Sequence, residues 1–196
     1  LMERLDKRAP FTATGGSIPP EFQNIKTPCY ILDEKALIEN AKLLGEVAKR
    51  TGCKMLLAQK AFSNYDCYPF FEPYLAGTEA SGLYEARLGV EEMPGKEVHV
   101  FCAGYRADEF EELLQYADHI VFNSPSQLLR FGRMAKEAGK SVGLRINPEC
   151  STQEGHEIYD PCAPGSRMGT TRAQWDAAIV KNPVLMELLD GVHFHT

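Results

Sequence analysis

A chain of 196 residues with 44% hydrophobic content can bury a sizeable core, so a globular protein is expected. No apolar run is long enough to cross a bilayer, and the charged character of residues 1–10 predicts no secretory signal. A net charge of −6, with basic residues scattered and no basic-aromatic face, argues against nucleic acid as a partner. Six cysteines (Cys29, Cys53, Cys67, Cys102, Cys150 and Cys162) form no CxxC pair. They are expected to be reduced thiols of a cytoplasmic protein rather than a disulfide framework or a zinc site.

Residues 1–26 hold Gly15-Gly16 and Pro19-Pro20 and show no apolar period, so an irregular lead-in is expected there, with one folded domain over 27–196. Cys29-Tyr30-Ile31-Leu32 reads as a strand. Asp33 reads as the cap of a helix whose Leu37, Ala41, Leu44 and Val47 keep helical spacing. A strand ending at Lys60 follows, then a helix-like segment to Leu75 interrupted by Pro69 and Pro73. Further strands are expected over 77–81, 97–102, 119–123, 141–147 and 189–196. Helices over 83–88, 108–116, 124–138 and 171–180 separate them, and 148–169 forms a long loop. Ser124 with Gln127 makes a capping box, and Gly139 stops that helix.

About seven alternations of strand and helix with short connections mean parallel βα units rather than hairpins. A doubly wound open sheet and a (β/α)8 barrel of the TIM type both fit this α/β pattern. No Gly-x-Gly-x-x-Gly turn follows any strand, and polar residues recur at strand carboxyl ends, at Lys60, Asn123, Asn147 and His195. Barrel enzymes keep their chemistry on that rim, which favours the barrel. Seven strands cannot close one, so the chain is expected to be the amino-terminal portion of a longer protein.

Alternation along Leu56-Leu57-Ala58-Gln59-Lys60 puts Leu56, Ala58 and Lys60 on one face, with Leu57 and Gln59 on the other. An inward lysine is costly, and its burial would lower its pKa towards the free amine of a nucleophile. Such an amine suggests a Schiff base with a carbonyl substrate or with pyridoxal phosphate. The plain alternative is a rim lysine whose stem packs and whose ammonium meets solvent. His193 and His195 share a parity at the end of the last strand. They read equally as a metal pair needing further ligands, or as one packed and one hydrogen-bonded imidazole. Arg145 shares a face with Asn147, and an arginine aimed into a barrel mouth calls for an anionic cofactor or a structural glutamate. Two prolines and two glycines make 159–169 a specified loop, while Glu154, His156 and Glu157 match a metal set only in composition.

Several stretches together resemble one family. These are Thr27-Pro28-Cys29-Tyr30-Ile31-Leu32-Asp33, Leu57-Ala58-Gln59-Lys60-Ala61-Phe62 and Phe122-Asn123-Ser124-Pro125-Ser126-Gln127. Leu144-Arg145-Ile146-Asn147-Pro148, the run from Tyr159 through Asp160-Pro161-Cys162-Ala163-Pro164-Gly165-Ser166-Arg167 to Gly169, and His193-Phe194-His195-Thr196 complete the set. They are similar to carboxynorspermidine (carboxyspermidine) decarboxylases, members of the alanine racemase-like, fold type III pyridoxal phosphate enzymes. The strand-end lysine marks the superfamily, and the Asp160 run narrows it to the polyamine branch.

The resemblance implies that Lys60 carries pyridoxal 5'-phosphate covalently, that His195 stacks on its ring, that Ala58 lines the pocket beneath, and that Arg145 lies near the cofactor. No metal is implied. Arg167 matches a basic position near a subunit interface, and Glu79 departs from an uncharged position. The implied activity is decarboxylation of a carboxylated polyamine, carboxynorspermidine or carboxyspermidine, by a cytoplasmic homodimer whose second, β domain lies beyond the matched region. Diaminopimelate- or ornithine-type decarboxylases are the nearest alternatives. A metal-dependent barrel hydrolase using His193 and His195, and a non-catalytic pyridoxal phosphate carrier, belong to other classes.

Overall fold

The computed structural model of the chain describes residues 22–26, 28–152 and 159–195. Most of the expected lead-in, and Glu154, His156 and Glu157, lie outside the described residues. Helix α1 spans Glu34–Thr51, begun by Asp33, whose Oδ1 accepts from the Ala36 N–H at 3.0 Å, and ended by Gly52 at φ 74°. Strand β1 (Leu56–Ala58) leads through a 3-10 turn (Tyr65–Cys67) into the short α2 (Tyr68–Phe71). Then come β2 (Gly77–Ala80), α3 (Leu83–Glu92), β3 (Glu97–Phe101), α4 (Phe110–Tyr116), β4 (His119–Phe122) and α5 (Pro125–Glu137). Strand β5 (Ser141–Arg145), α6 (Arg172–Lys181), α7 (Val184–Leu188) and β6 (Gly191–His193) complete the set.

All six strands are parallel and lie in sequence order from β1 to β6. A doubly wound sheet reverses its strand order at a switch point, and this one does not; unbroken winding is the barrel pattern. Helices cover one face only. There Val98, Val100, Ile120, Phe122, Val142 and Leu144 bury against Phe110, Leu128, Phe131 and Leu185. A smaller cluster of Ala41, Leu57, Tyr68, Phe71, Leu75 and Met93 fastens α1 and α2 to β1. The opposite, concave face carries the other parity: Ala58, Glu79, His99, Phe101, His119, Arg145 and His193. No helix among the described residues is long and apolar enough to cross a membrane.

Three expectations are corrected. The strand expected at residues 29–32 is absent, leaving six strands among the described residues; Tyr30 is fully exposed, and β-forming residues make a strand only where a ladder partner accepts their hydrogen bonds. Helix α7 is additional to the expected elements, because Pro183 and a five-residue length hide its periodicity. The capping box at Ser124 is half formed. Ser124 Oγ accepts from the Gln127 N–H, but the Gln127 side chain accepts from Asn123 instead. The complete box is Thr171 with Gln174 at the start of α6.

Candidate active site at the carboxyl strand ends

Strand β1 stops at Ala58, and a turn in which the Ala61 and Phe62 N–H groups bond the Ala58 carbonyl carries Lys60 just beyond it. The parity of this segment is locked by Gln59, which is 1% exposed. Its Nε2 donates to the Glu85 carbonyl at 2.8 Å, and its Oε1 accepts from the buried Tyr68 hydroxyl at 3.0 Å. Lys60 lies in that turn, beyond the strand, close enough to Glu79, His193 and His195 to act on their charge. The expectation that Lys60 is buried is corrected: it is exposed, because among the described residues the concave face has no covering layer. Its amine is therefore accessible rather than desolvated.

Arg145, the last residue of β5, is 5% exposed, with its guanidinium 4.7 Å from the centre of the Phe101 ring. No carboxylate among the described residues lies within ion-pair distance of it. Burial lowers its affinity for the proton, with Cys162 and Glu79 acting in the other direction, but a guanidinium stays charged at any pH a protein meets. A buried cation without a counter-ion is costly and suits an anionic ligand. Next to it, His193 packs on Phe101 with ring centres 5.1 Å apart and lies 3.2 Å, Nε2 to Nε2, from His195. Among the described residues no third metal-binding side chain lies within reach of these two.

Glu79 is half-buried on β2, between the charges of Lys60, His99 and Arg145. Burial raises its pKa, opposed first by Lys60. Ala58 lies opposite it in the β1–β2 register. Lys60, Ala58, Glu79, Arg145 and His195 thus share one face. Asn123, also a polar strand end, acts differently. Its Nδ2 donates to the Arg167 carbonyl and its Oδ1 accepts from the Gly169 N–H. It ties down the loop after β5, which with Arg145 lines a cleft of about 580 Å³ containing Tyr159, Asp160 and Arg167. Gly169 has φ +81°, and a Cβ there would sit 2.8 Å from the Ile146 carbonyl carbon, so glycine is required.

His193 is pushed down to about 4, first by burial and then by the charges around His195, Arg145 and Lys60. The unfolded chain binds its proton near pH 6.5 while the folded chain refuses it until about 4, so stability falls as pH drops through that window. His193→Gln is expected to flatten the pH dependence of the urea midpoint between those limits. An unchanged slope would place the acid sensitivity elsewhere.

Parallel strands wound in one direction, with a cationic and imidazole-bearing cluster at their carboxyl ends, define a TIM-barrel-type architecture, and solved decarboxylases with an amino-terminal TIM barrel share it. The carboxynorspermidine decarboxylase of Campylobacter jejuni, solved with norspermidine, superposes with a TM-score of 0.72 at 33% identity, over 88% of this chain and 41% of that one. Diaminopimelate decarboxylase of Helicobacter pylori, solved with L-lysine, gives 0.70 at 23% identity, over 89% and 45%, and speaks for the fold alone.

The sequence relatives are narrower in kind. The chain is 38% identical over 154 residues to a carboxyaminopropylagmatine decarboxylase of Synechocystis, covering 79% of this chain and 39% of the relative. It is 36% identical over 174 residues to a carboxynorspermidine/carboxyspermidine decarboxylase of Campylobacter jejuni, covering 89% and 43%. The resemblance to carboxy(nor)spermidine decarboxylases of the fold type III group therefore holds along most of this chain, which spans about two fifths of those relatives' length. No family model matches.

Proposed function

We propose that residues 27–196 form the cofactor-holding barrel unit of a pyridoxal phosphate-dependent decarboxylase. Its substrate is a carboxylated polyamine, carboxynorspermidine or carboxyspermidine, and it works as a cytoplasmic homodimer. The observation that supports this most is Arg145: a buried cation with no carboxylate at ion-pair distance among the described residues, on the same concave face as the accessible amine of Lys60. The residues present suit the cofactor. An aldehyde needs an accessible amine, an anion needs a desolvated cation, and a flat ring needs a flat neighbour; Lys60, Arg145 and His195 offer these in turn.

When bound, pyridoxal phosphate supplies an electron sink for the pair left behind as carbon dioxide departs from an α-amino acid. The chain's own residues bind and orient. Lys60 anchors the cofactor, Arg145 stabilises negative charge in a desolvated setting, and Ala58 keeps the floor beside Glu79 small. The two named sequence relatives are, by their names, decarboxylases of carboxyaminopropylagmatine and of carboxynorspermidine/carboxyspermidine, which is the basis for the substrate class.

The test uses full-length protein. Borohydride reduction followed by peptide mapping is expected to find the pyridoxyl group on Lys60. Carbon dioxide release should be fastest with carboxynorspermidine, carboxyspermidine or carboxyaminopropylagmatine, and slow with diaminopimelate. An unmodified Lys60, or diaminopimelate as the best substrate, would sink the reading. Arg145→Met is expected to weaken cofactor binding roughly 10- to 100-fold, as loss of a desolvated charge-assisted contact does; titration of apoprotein with pyridoxal phosphate measures it.

A further inference from the structure

At the opposite, amino-terminal end of the same concave face lies a second cluster that the decarboxylase reading does not use. Glu97 opens β3, His99 follows two residues on, and His119 opens β4. The strand register pairs His99 with His119, so their imidazoles stack, with ring centres 4.0 Å apart and planes 24° from parallel. Glu97 Oε2 lies 3.0 Å from His99 Nε2 and 3.8 Å from His119 Nε2. The other carboxylate oxygen, Oε1, is taken by the Lys54 ammonium. The three remaining donor atoms, two imidazole nitrogens and one carboxylate oxygen, all fall within 4.8 Å of one another.

We propose that Glu97, His99 and His119 form a binding site for a borderline divalent metal ion, zinc by preference, that ties β3 to β4 at the amino-terminal mouth of the sheet. Metal–nitrogen and metal–oxygen bonds of about 2.0–2.2 Å in a tetrahedral site separate donor atoms by roughly 3.3 Å, between the 3.0 and 3.8 Å found here. The ring-plane lone pairs of stacked imidazoles run side by side, so the two rings turn towards each other when both ligate one ion. Three protein ligands leave the fourth position to water, and two imidazoles with one carboxylate suit zinc better than calcium or magnesium.

The protonation states agree with this geometry. Burial first, and then the neighbouring His99, lower the pKa of His119, with Glu97 acting in the other direction. Neutral imidazole is the ligating form. Glu97 is held down at about 2, first by its hydrogen bond from His99 and then by Lys54, so its carboxylate is ionised at neutral pH; ligation by His99 Nε2 requires that its proton move to Nδ1. Glu79, opposite His99 in the register, adds negative charge to the same row.

The cluster continues the row that starts at Ala58 and Glu79 on the cofactor face, and metal binding can be tested without turnover. Full-length protein stripped with chelator and titrated with cobalt(II) is expected to show the visible bands of a four-coordinate nitrogen and oxygen site, with no thiolate charge-transfer band. Zinc should displace the cobalt stoichiometrically and raise the melting temperature. His99→Gln and His119→Gln, the latter serving if the former misfolds, should each weaken cobalt binding at least tenfold, whereas His195→Gln at the far end of the strands should leave the spectrum unchanged. Absence of cobalt bands in the unaltered protein, a thiolate band, or a spectrum lost with His195→Gln and kept with His99→Gln would each overturn the proposal.

Discussion

Replacing Lys60 by alanine is expected to abolish the covalent attachment of pyridoxal phosphate and to lower decarboxylase turnover by at least roughly 10²-fold, the lower end for removing a positioned proton-transfer group. The fold should survive. Lys60 is exposed and makes no hydrogen bond or ion pair with the described residues, so its truncation is expected to change stability by no more than about 0.5 kcal/mol. The bonds of the adjacent Gln59 to Glu85 and Tyr68 remain in the variant.

Lys60→Arg separates charge from nucleophilicity. It restores the positive charge beside Glu79 but cannot offer a free amine, so it should fail as badly as alanine. Partial recovery of the alanine variant by added methylamine would locate the loss in the missing amine. The measurement is single-turnover carbon dioxide release by full-length protein. Turnover within a few-fold of the unaltered enzyme in Lys60→Ala would remove Lys60 from the chemistry.

Gly77→Ala is expected to be the most damaging small substitution in the sheet. Gly77 opens β2 and pairs with Leu56 on one side and Glu97 on the other. A Cβ there would lie 1.9 Å from the Glu97 carbonyl oxygen and 2.8 Å from the Glu97 nitrogen. Both are backbone atoms of the neighbouring strand, so relief requires parting β2 from β3. Overpacking costs about 1–3 kcal/mol where side chains can shift, and the upper end or beyond applies where only backbone can move. For a chain of this size about 3 kcal/mol lowers the melting temperature by roughly 6–12 °C.

Two comparisons make the result interpretable. At Gly89 the added Cβ would meet the Thr78 hydroxyl at 2.3 Å, a side-chain atom with some freedom, so alanine there should cost less than at Gly77. At Gly104 nothing lies within 4 Å, and alanine should change stability by no more than about 0.5 kcal/mol. Equal melting temperatures for Gly77→Ala and Gly104→Ala would refute the steric account.

The alternating pattern of strands and helices is legible in the residues, because each βα unit carries its own local signals. Asp33 caps α1, Gly139 at φ +73° follows α5, and Val98-Val100, Ile120-Phe122 and Val142-Leu144 keep strand parity. The strand-end positions of Lys60, Arg145 and His195 follow from the same count. Residues 29–32 mislead because strand propensity is realised only against a partner strand, and none among the described residues takes them. Burial of Lys60 is not legible, because parity gives a side chain's direction but not what covers it.

By itself, then, the sequence determined the class of fold and the parity of the paired strands, since both depend on short-range periodicity and side-chain chemistry. Tertiary structure alone decided which residues meet across strands. Register paired His99 with His119 beside Glu97, bringing together residues of two strands that a whole helix separates in sequence. It left Arg145 buried on Phe101 without a carboxylate at ion-pair distance among the described residues, and made Asn123, one of the polar strand ends, the fastening of a loop. Hydrogen-bonded pairing of distant strands sets those contacts, and no local pattern along one strand encodes the register of the next.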